Sequence, residues 1–186
     1  LLFPYIHSSC FAKKMSELRK ANYDGLFFNT ITVVGWIDVF TRSIYSDIII
    51  KNLSYCQQFK GLELFAYVIM SNHIHLICSA IDGNLNELLG DFKSFSAKDI
   101  IYTIEKNEKE SRRDWLLHMF RYHAKFSKRH GEYAFWRPTS HAIEIRGHNM
   151  LQQKLRYVHE NPVRAGYVQE PEHWVYSSAC ERGYLK

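Results

Sequence analysis

Apolar positions recur along the chain with two different periods, and the switches between them mark out the elements. Residues 27–39 (FFNTITVVGWIDV) are dense in β-branched and aromatic side chains and follow the turn pair Asp24-Gly25, which predicts a strand. Residues 46–59 set Ile48, Ile49, Leu53 and Cys56 at helical spacing behind Ser46 as cap, which predicts a helix. A strand over 63–70, a tight turn at Ser71-Asn72 and a strand over 73–79 read as a hairpin. After the Asp82-Gly83-Asn84 turn, Leu85, Leu88, Leu89, Phe92, Phe95 and Ile100 give helical periodicity over 85–104. The nearly all-charged stretch 105–113 reads as a solvated helix end or loop. Residues 116–126 read as a further helix and 131–145 as extended chain, with Pro138 at an edge or break. A last helix is predicted from the Asn149 cap to Asn161, ended by Pro162, whose ring disfavours helical geometry in the residue before it. This order predicts an α+β fold, an antiparallel sheet with helices packed on it.

Composition narrows the class. With 186 residues, 46% hydrophobic and 23% charged, the chain has the make-up of one globular domain and not of a fibre or a disordered tail. Residues 25–186 are expected to form that domain. Residues 1–24, with Met15 as a candidate start, are expected to be a poorly ordered N-terminal extension. The longest apolar run, 64–70, is too short for a membrane helix, and the first residues lack the basic leader of a signal peptide. Cys10, Cys56, Cys78 and Cys180 are scattered without C-x-x-C pairing, so a reducing cytoplasm is expected and a zinc ribbon is not. The net charge of +5 is compatible with a polyanionic partner.

Three local patterns carry chemistry. In Ser71-Asn72-His73-Ile74-His75-Leu76-Ile77, the strand period of two turns His73 and His75 to one face, about 7 Å apart along the chain, and Ile74, Leu76 and Cys78 to the other. Two neutral imidazoles there suit a shared divalent ion, although such pairs also occur as surface or hydrogen-bonded histidines. In the last helix the core stripe is Leu151, Leu155 and Val158; Tyr157 lies off it, in line with Gln153 and Asn161. A tyrosine at the margin of a core stripe is also a common packing residue. Finally, Lys125, Lys128, Arg129, His130 and Arg137 interleave with Phe126, Tyr133, Phe135 and Trp136. Such a mixture suits phosphates and unpaired bases, and it also arises on ordinary surfaces.

Taken together, LFAYVIMSNHIHLIC, KLRYVHENPVRAGYV and WVYSSA resemble the single-tyrosine HUH transposases, particularly their REP-associated branch, a resemblance that covers roughly residues 25–179. The resemblance implies a ferredoxin-like, RRM-like HUH endonuclease fold, a divalent metal (Mg or Mn) held by His73, His75 and Asn161, and Tyr157 as the nucleophile. It further implies cleavage and rejoining of single-stranded or hairpin DNA through a 5′-phosphotyrosine, by a homodimer. Lys154, Arg164, Arg137, Arg129 and Lys128 are the expected DNA contacts. The chain departs from the family in having Ser71-Asn72 where Pro-Asn is frequent, and Asn161 where the insertion-sequence branch more often has Gln. A non-cleaving DNA-binding regulator of the same fold is the alternative.

Overall fold

The computed structural model describes residues 25–126, 131–181 and 185. The extension expected over 1–24 lies outside the described residues. The chain runs through β1 (Phe27–Thr32), α1 (Ser43–Phe59), β2 (Leu62–Ile69), β3 (His73–Ala80), α2 (Leu85–Lys106), α3 (Arg113–Ala124), β4 (His141–Glu144) and α4 (His148–Arg164). The strands form one antiparallel sheet in the order β2-β3-β1-β4. That is the split βαβ arrangement of ferredoxin-like folds, with β3 inserted between the two strands that α1 connects.

The sheet has two unequal cores. On one face Ile31, Ile69, Ile74, Leu76 and Cys78 pack with Ile49 and Leu53 of α1, Phe92 and Ile100 of α2, and Leu116 and Phe120 of α3. On the other face Phe28, Ala66, Val68, Met70 and Ile77 pack with Leu26, Ile145 and the α4 stripe Leu151, Leu155 and Val158, edged by Phe65, Met150 and Trp174. Cys78 is fully buried on the first face, as the strand period requires, and donates nothing to the histidine face.

Several boundaries differ from those predicted. The first strand stops at Thr32, because Val33 N–H turns to the Asn72 carbonyl and Val34 N–H to that of Phe135. The chain then makes a 3-10 turn, Val34–Trp36, in which Gly35 (φ 60) and Trp36 (φ 56) are both left-handed. For a bulky residue such as tryptophan that conformation costs on the order of 1–3 kcal/mol. Helix α1 begins three residues before Ser46, whose hydroxyl instead donates to the Phe40 carbonyl. Only His141–Glu144 of the predicted extended segment 131–145 pairs as a strand, Trp136 making a single bridge to Val33.

Helix α4 does not end at Asn161 but runs through Pro162, which forfeits one hydrogen bond and buries its ring. The stop signal is Gly166 (φ 74): its N–H bonds the Val163 carbonyl while Tyr167 N–H bonds that of Pro162, a Schellman closure. The segment beyond then lies along the outer side of β2. Ile69 N–H donates to the Tyr176 carbonyl, Ser178 N–H to that of Tyr67, and the Trp174 indole N–H to that of Ile69. The WVYSSA run thus covers an otherwise open sheet edge.

The charged stretch 105–113 is not wholly solvated. The Glu110 side chain is buried, accepting from Tyr45 Oη, the Arg112 backbone N–H and the Arg42 guanidinium. Burial alone would raise its pKa, but the hydrogen bonds from Arg112 and Tyr45 and the charges of Arg42 and Arg112 together hold it below the usual carboxylate value. A carboxyl whose pKa falls on folding stabilises the fold above its unfolded value and loses that contribution as the pH drops through the folded one. Glu110→Gln should therefore cost about 1–3 kcal/mol in denaturant unfolding at neutral pH, and the gap from wild type should shrink below a pH of about 4. A gap independent of pH would contradict this.

Candidate functional site

Strand register builds the first half of the site. Thr32 stands opposite His73, Thr30 opposite His75 and Phe28 opposite Ile77, so these β1 side chains share the histidine face. His75 is only 3% exposed. Its Nδ1 lies 2.9 Å from Thr30 Oγ1, while its buried Nε2 has no hydrogen-bond partner. Placing the ring hydrogen on Nδ1, with Thr30 accepting, avoids a buried N–H without an acceptor and leaves a bare lone pair at Nε2. Phe28 stacks on the ring at 5.3 Å, and the His73 ring is 4.7 Å away.

The tautomer of His73 is set by its neighbour in the turn. The Asn72 amide nitrogen donates to Asp38 Oδ1 at 2.8 Å and to the Trp36 carbonyl at 3.3 Å. The amide oxygen therefore faces His73 Nδ1, 2.8 Å away, and can only accept. His73 thus carries its hydrogen on Nδ1 and offers Nε2. Burial, then the charges of His73 and Lys154, push the His75 pKa down to about 3; burial also lowers that of His73, with Asp38 opposing. Both rings are neutral near pH 7, the form in which imidazole binds a metal. A hydrogen bond at each Nδ1 and an available Nε2 on each ring fit a divalent ion.

Helix α4 supplies the second half. With Leu151, Leu155 and Val158 seated on the sheet, Tyr157 falls toward the histidines. Its ring is 5.2 Å from that of His75 and 5.7 Å edge-on from that of Phe28, and the residue is 38% exposed. Around it stand the expected cations: Lys154 Nζ is 4.8 Å over the Phe28 ring, and the Arg164 guanidinium is 5.8 Å over Tyr157 while pairing with Glu160. An open cleft of about 440 Å³ on this side is lined by Asn149, Gln152, Gln153, Arg156, Tyr157 and Arg164. Arg137 reaches the other end of the site, 5.7 Å over Trp36, whose ring is 6.0 Å from His73.

One chain thus brings together His73, His75, Tyr157, Lys154, Arg164 and Arg137. Asn161 is half-buried one turn after Tyr157, and no hydrogen bond joins its amide to either imidazole. Among the described residues no three His, Cys, Asp or Glu side chains cluster as a metal cage, so a third protein donor here would be an amide or a hydroxyl. Lys128 and Arg129 lie outside the described residues. Of the aromatic residues interleaved with them, Phe135 and Trp136 are buried and Tyr133 donates to Glu105, so these three are structural and not free for bases. Sequence reasoning missed Thr30, Asp38, Trp36 and Arg156. Thr30 was legible in principle as the neighbour of Phe28 at strand parity; Asp38 and Trp36 were hidden by reading 27–39 as one strand.

The fold is similar to a solved structure of a REP-associated tyrosine transposase bound to a REP hairpin, with a TM-score of 0.58 and 18% identity, covering 83% of this chain and 76% of that one. No family model matches the chain, and no curated protein matches it. The likeness is one of fold.

Asn72→Ala should move His73 toward the Nε2–H tautomer in nitrogen-resolved NMR of the metal-free protein. It should also weaken Mn²⁺ binding about 10-fold or more, as loss of a hydrogen bond that orients a ligating imidazole does. An unchanged tautomer would show that the Asn72 contact does not orient the ring.

Proposed function

We propose that this chain is a metal-dependent tyrosine transposase-type enzyme that cuts and rejoins single-stranded DNA near hairpins. The observation that carries this reading is the Tyr157 ring, 5.2 Å from His75, beside a buried imidazole nitrogen that nothing in the protein uses. The hairpin-bound neighbour of the same fold supports the substrate class.

His73 and His75 through Nε2, with Asn161, are the proposed holders of a Mg or Mn ion. When bound, that ion supplies positive charge to the scissile phosphate and to the departing oxygen. The Tyr157 oxygen forms the new bond to phosphorus as the bond to the 3′ oxygen breaks; the phenolic proton leaves to solvent and the 3′ oxygen takes one up. A 5′-phosphotyrosine and a free 3′-hydroxyl remain, so rejoining runs backwards without an external energy source. Arg164, over the phenol ring, favours charge on its oxygen, and Arg156, Lys154 and Arg137 offer cations to the flanking backbone, with Lys128 and Arg129 kept in the same role. All the proposed ligands are uncharged, which favours weak metal binding until the anionic phosphate joins the site. Two imidazoles favour Mn over Mg in vitro. The meeting of tyrosine and histidines within one chain supports cleavage in cis; the homodimer is proposed for capture of the hairpin.

Incubated with labelled hairpin-bearing single strands and Mn²⁺, the wild type should give a denaturation-resistant adduct. Tyr157→Phe should give none while still binding DNA, and His75→Ala should lower adduct formation about 100-fold or more. Binding by the wild type without any adduct would instead identify a non-cleaving regulator.

A further inference from the structure

We propose that Trp36 is a stacking platform for an unpaired nucleobase next to the scissile linkage, which rests on reading this site as one for single-stranded DNA. Trp36 is 55% exposed, and its backbone is held on both sides. Trp36 N–H donates to the Val33 carbonyl, and its own carbonyl accepts from Asn72, the residue that also orients His73. The platform and the first histidine are therefore fixed by the same side chain.

Its backbone is the one non-glycine position with positive φ among the described residues. A bulky side chain in that region is an outlier, and a residue left more than half exposed recovers little of the cost by packing. At Gly35 before it φ is 60, a strained conformation for any side chain, and a Cβ would stand 2.5 Å from His123 Nε2, so that ring would have to shift. The turn is thus built to hold an aromatic face outward at one place, 6.0 Å from the His73 ring and under the Arg137 guanidinium.

The neighbours select the ligand. An aromatic surface flanked by a guanidinium and by a pair of metal-ready imidazoles suits a base whose phosphates lie on the cations, and base–aromatic stacking tolerates any sequence. Of the interleaved aromatics of 126–136, Phe135 and Trp136 are buried and Tyr133 is bonded to Glu105, whereas Phe126 is exposed and packs on the Tyr122 ring.

Binding of the full chain, without metal so that no strand is cut, to single-stranded oligo(dA), to an abasic chain of equal length and to the oligo(dA)·oligo(dT) duplex tests the assignment. Trp36→Ala should weaken oligo(dA) binding between about 5- and 150-fold and leave the abasic chain and the duplex within about twofold of wild type. Trp36→Phe should recover most of the affinity but lose the quenching of tryptophan fluorescence that oligo(dA) produces in the wild type. Equal losses on all three ligands, with the melting temperature unchanged, would reduce Trp36 to a structural or electrostatic role and overturn the proposal, as would no loss on oligo(dA). Selective loss on oligo(dA) in a protein that never forms the Tyr157 adduct would uphold the platform and sink cleavage; an adduct-forming protein indifferent to Trp36→Ala would do the reverse.

Discussion

A buried imidazole with one nitrogen satisfied and the other bare is the constraint around which this fold is arranged. His75 stands on a central strand, its Nδ1 against Thr30 across the β1–β3 ladder and its Nε2 without a partner. Leaving a buried polar atom unmade costs on the order of 1–3 kcal/mol, and apolar residues of similar size would fill the position without that cost. The neutral charge state follows from the same burial, so the features that make the position unfavourable for folding are those that make the nitrogen available for binding.

The asymmetry of the sheet explains where such a site fits. Three helices cover one face with most of the core, whereas α4 alone covers the other, and its apolar stripe gives way to Phe28, His75 and His73. The large core holds the strands in register while the thinner face leaves room for Tyr157 and an open cleft. A chain of polar contacts also ties the two regions together. Glu110 anchors Arg112, Arg112 donates to the Asp38 carbonyl, the Asp38 carboxylate accepts from Asn72, and Asn72 accepts from His73. An ion cluster at the starts of α1 and α3, with Glu110 buried and its two arginines partly exposed, thereby braces the loop that sets the histidine tautomer. On the far side Tyr167 Oη bonds Ser71 Oγ, so the segment closing α4 grips the same turn.

Much of this was legible in the chain because periodicity is a strong signal where one face is buried. The alternation of His73, His75 and Ile77 against Ile74, Leu76 and Cys78 fixed which face each would take, and the stripe Leu151, Leu155, Val158 fixed the offset of Tyr157. The misread positions share a different cause: each was decided by a partner distant in sequence. Glu110 looked solvated because its neighbours are charged, and only the approach of Tyr45 and Arg42 buries it. Trp36 looked like strand because β-branched residues precede it, whereas the Asn72 and Phe135 carbonyls draw the chain out of the ladder. Pro162 looked like a helix end, yet in the last turn a proline forfeits one bond, and Gly166 provides the actual stop. Asn161 was named through family resemblance, and its amide stands outside the hydrogen bonding of the histidine pair.

The most direct test is pulsed electron paramagnetic resonance of Mn²⁺ bound to the Tyr157→Phe protein with single-stranded DNA, which reads nitrogen nuclei coordinated to the ion. Two imidazole couplings are expected, one disappearing in His73→Ala and the other in His75→Ala. A spectrum without imidazole coupling, from a protein that still binds both the ion and the strand, would contradict the convergence of the two histidines on one cation.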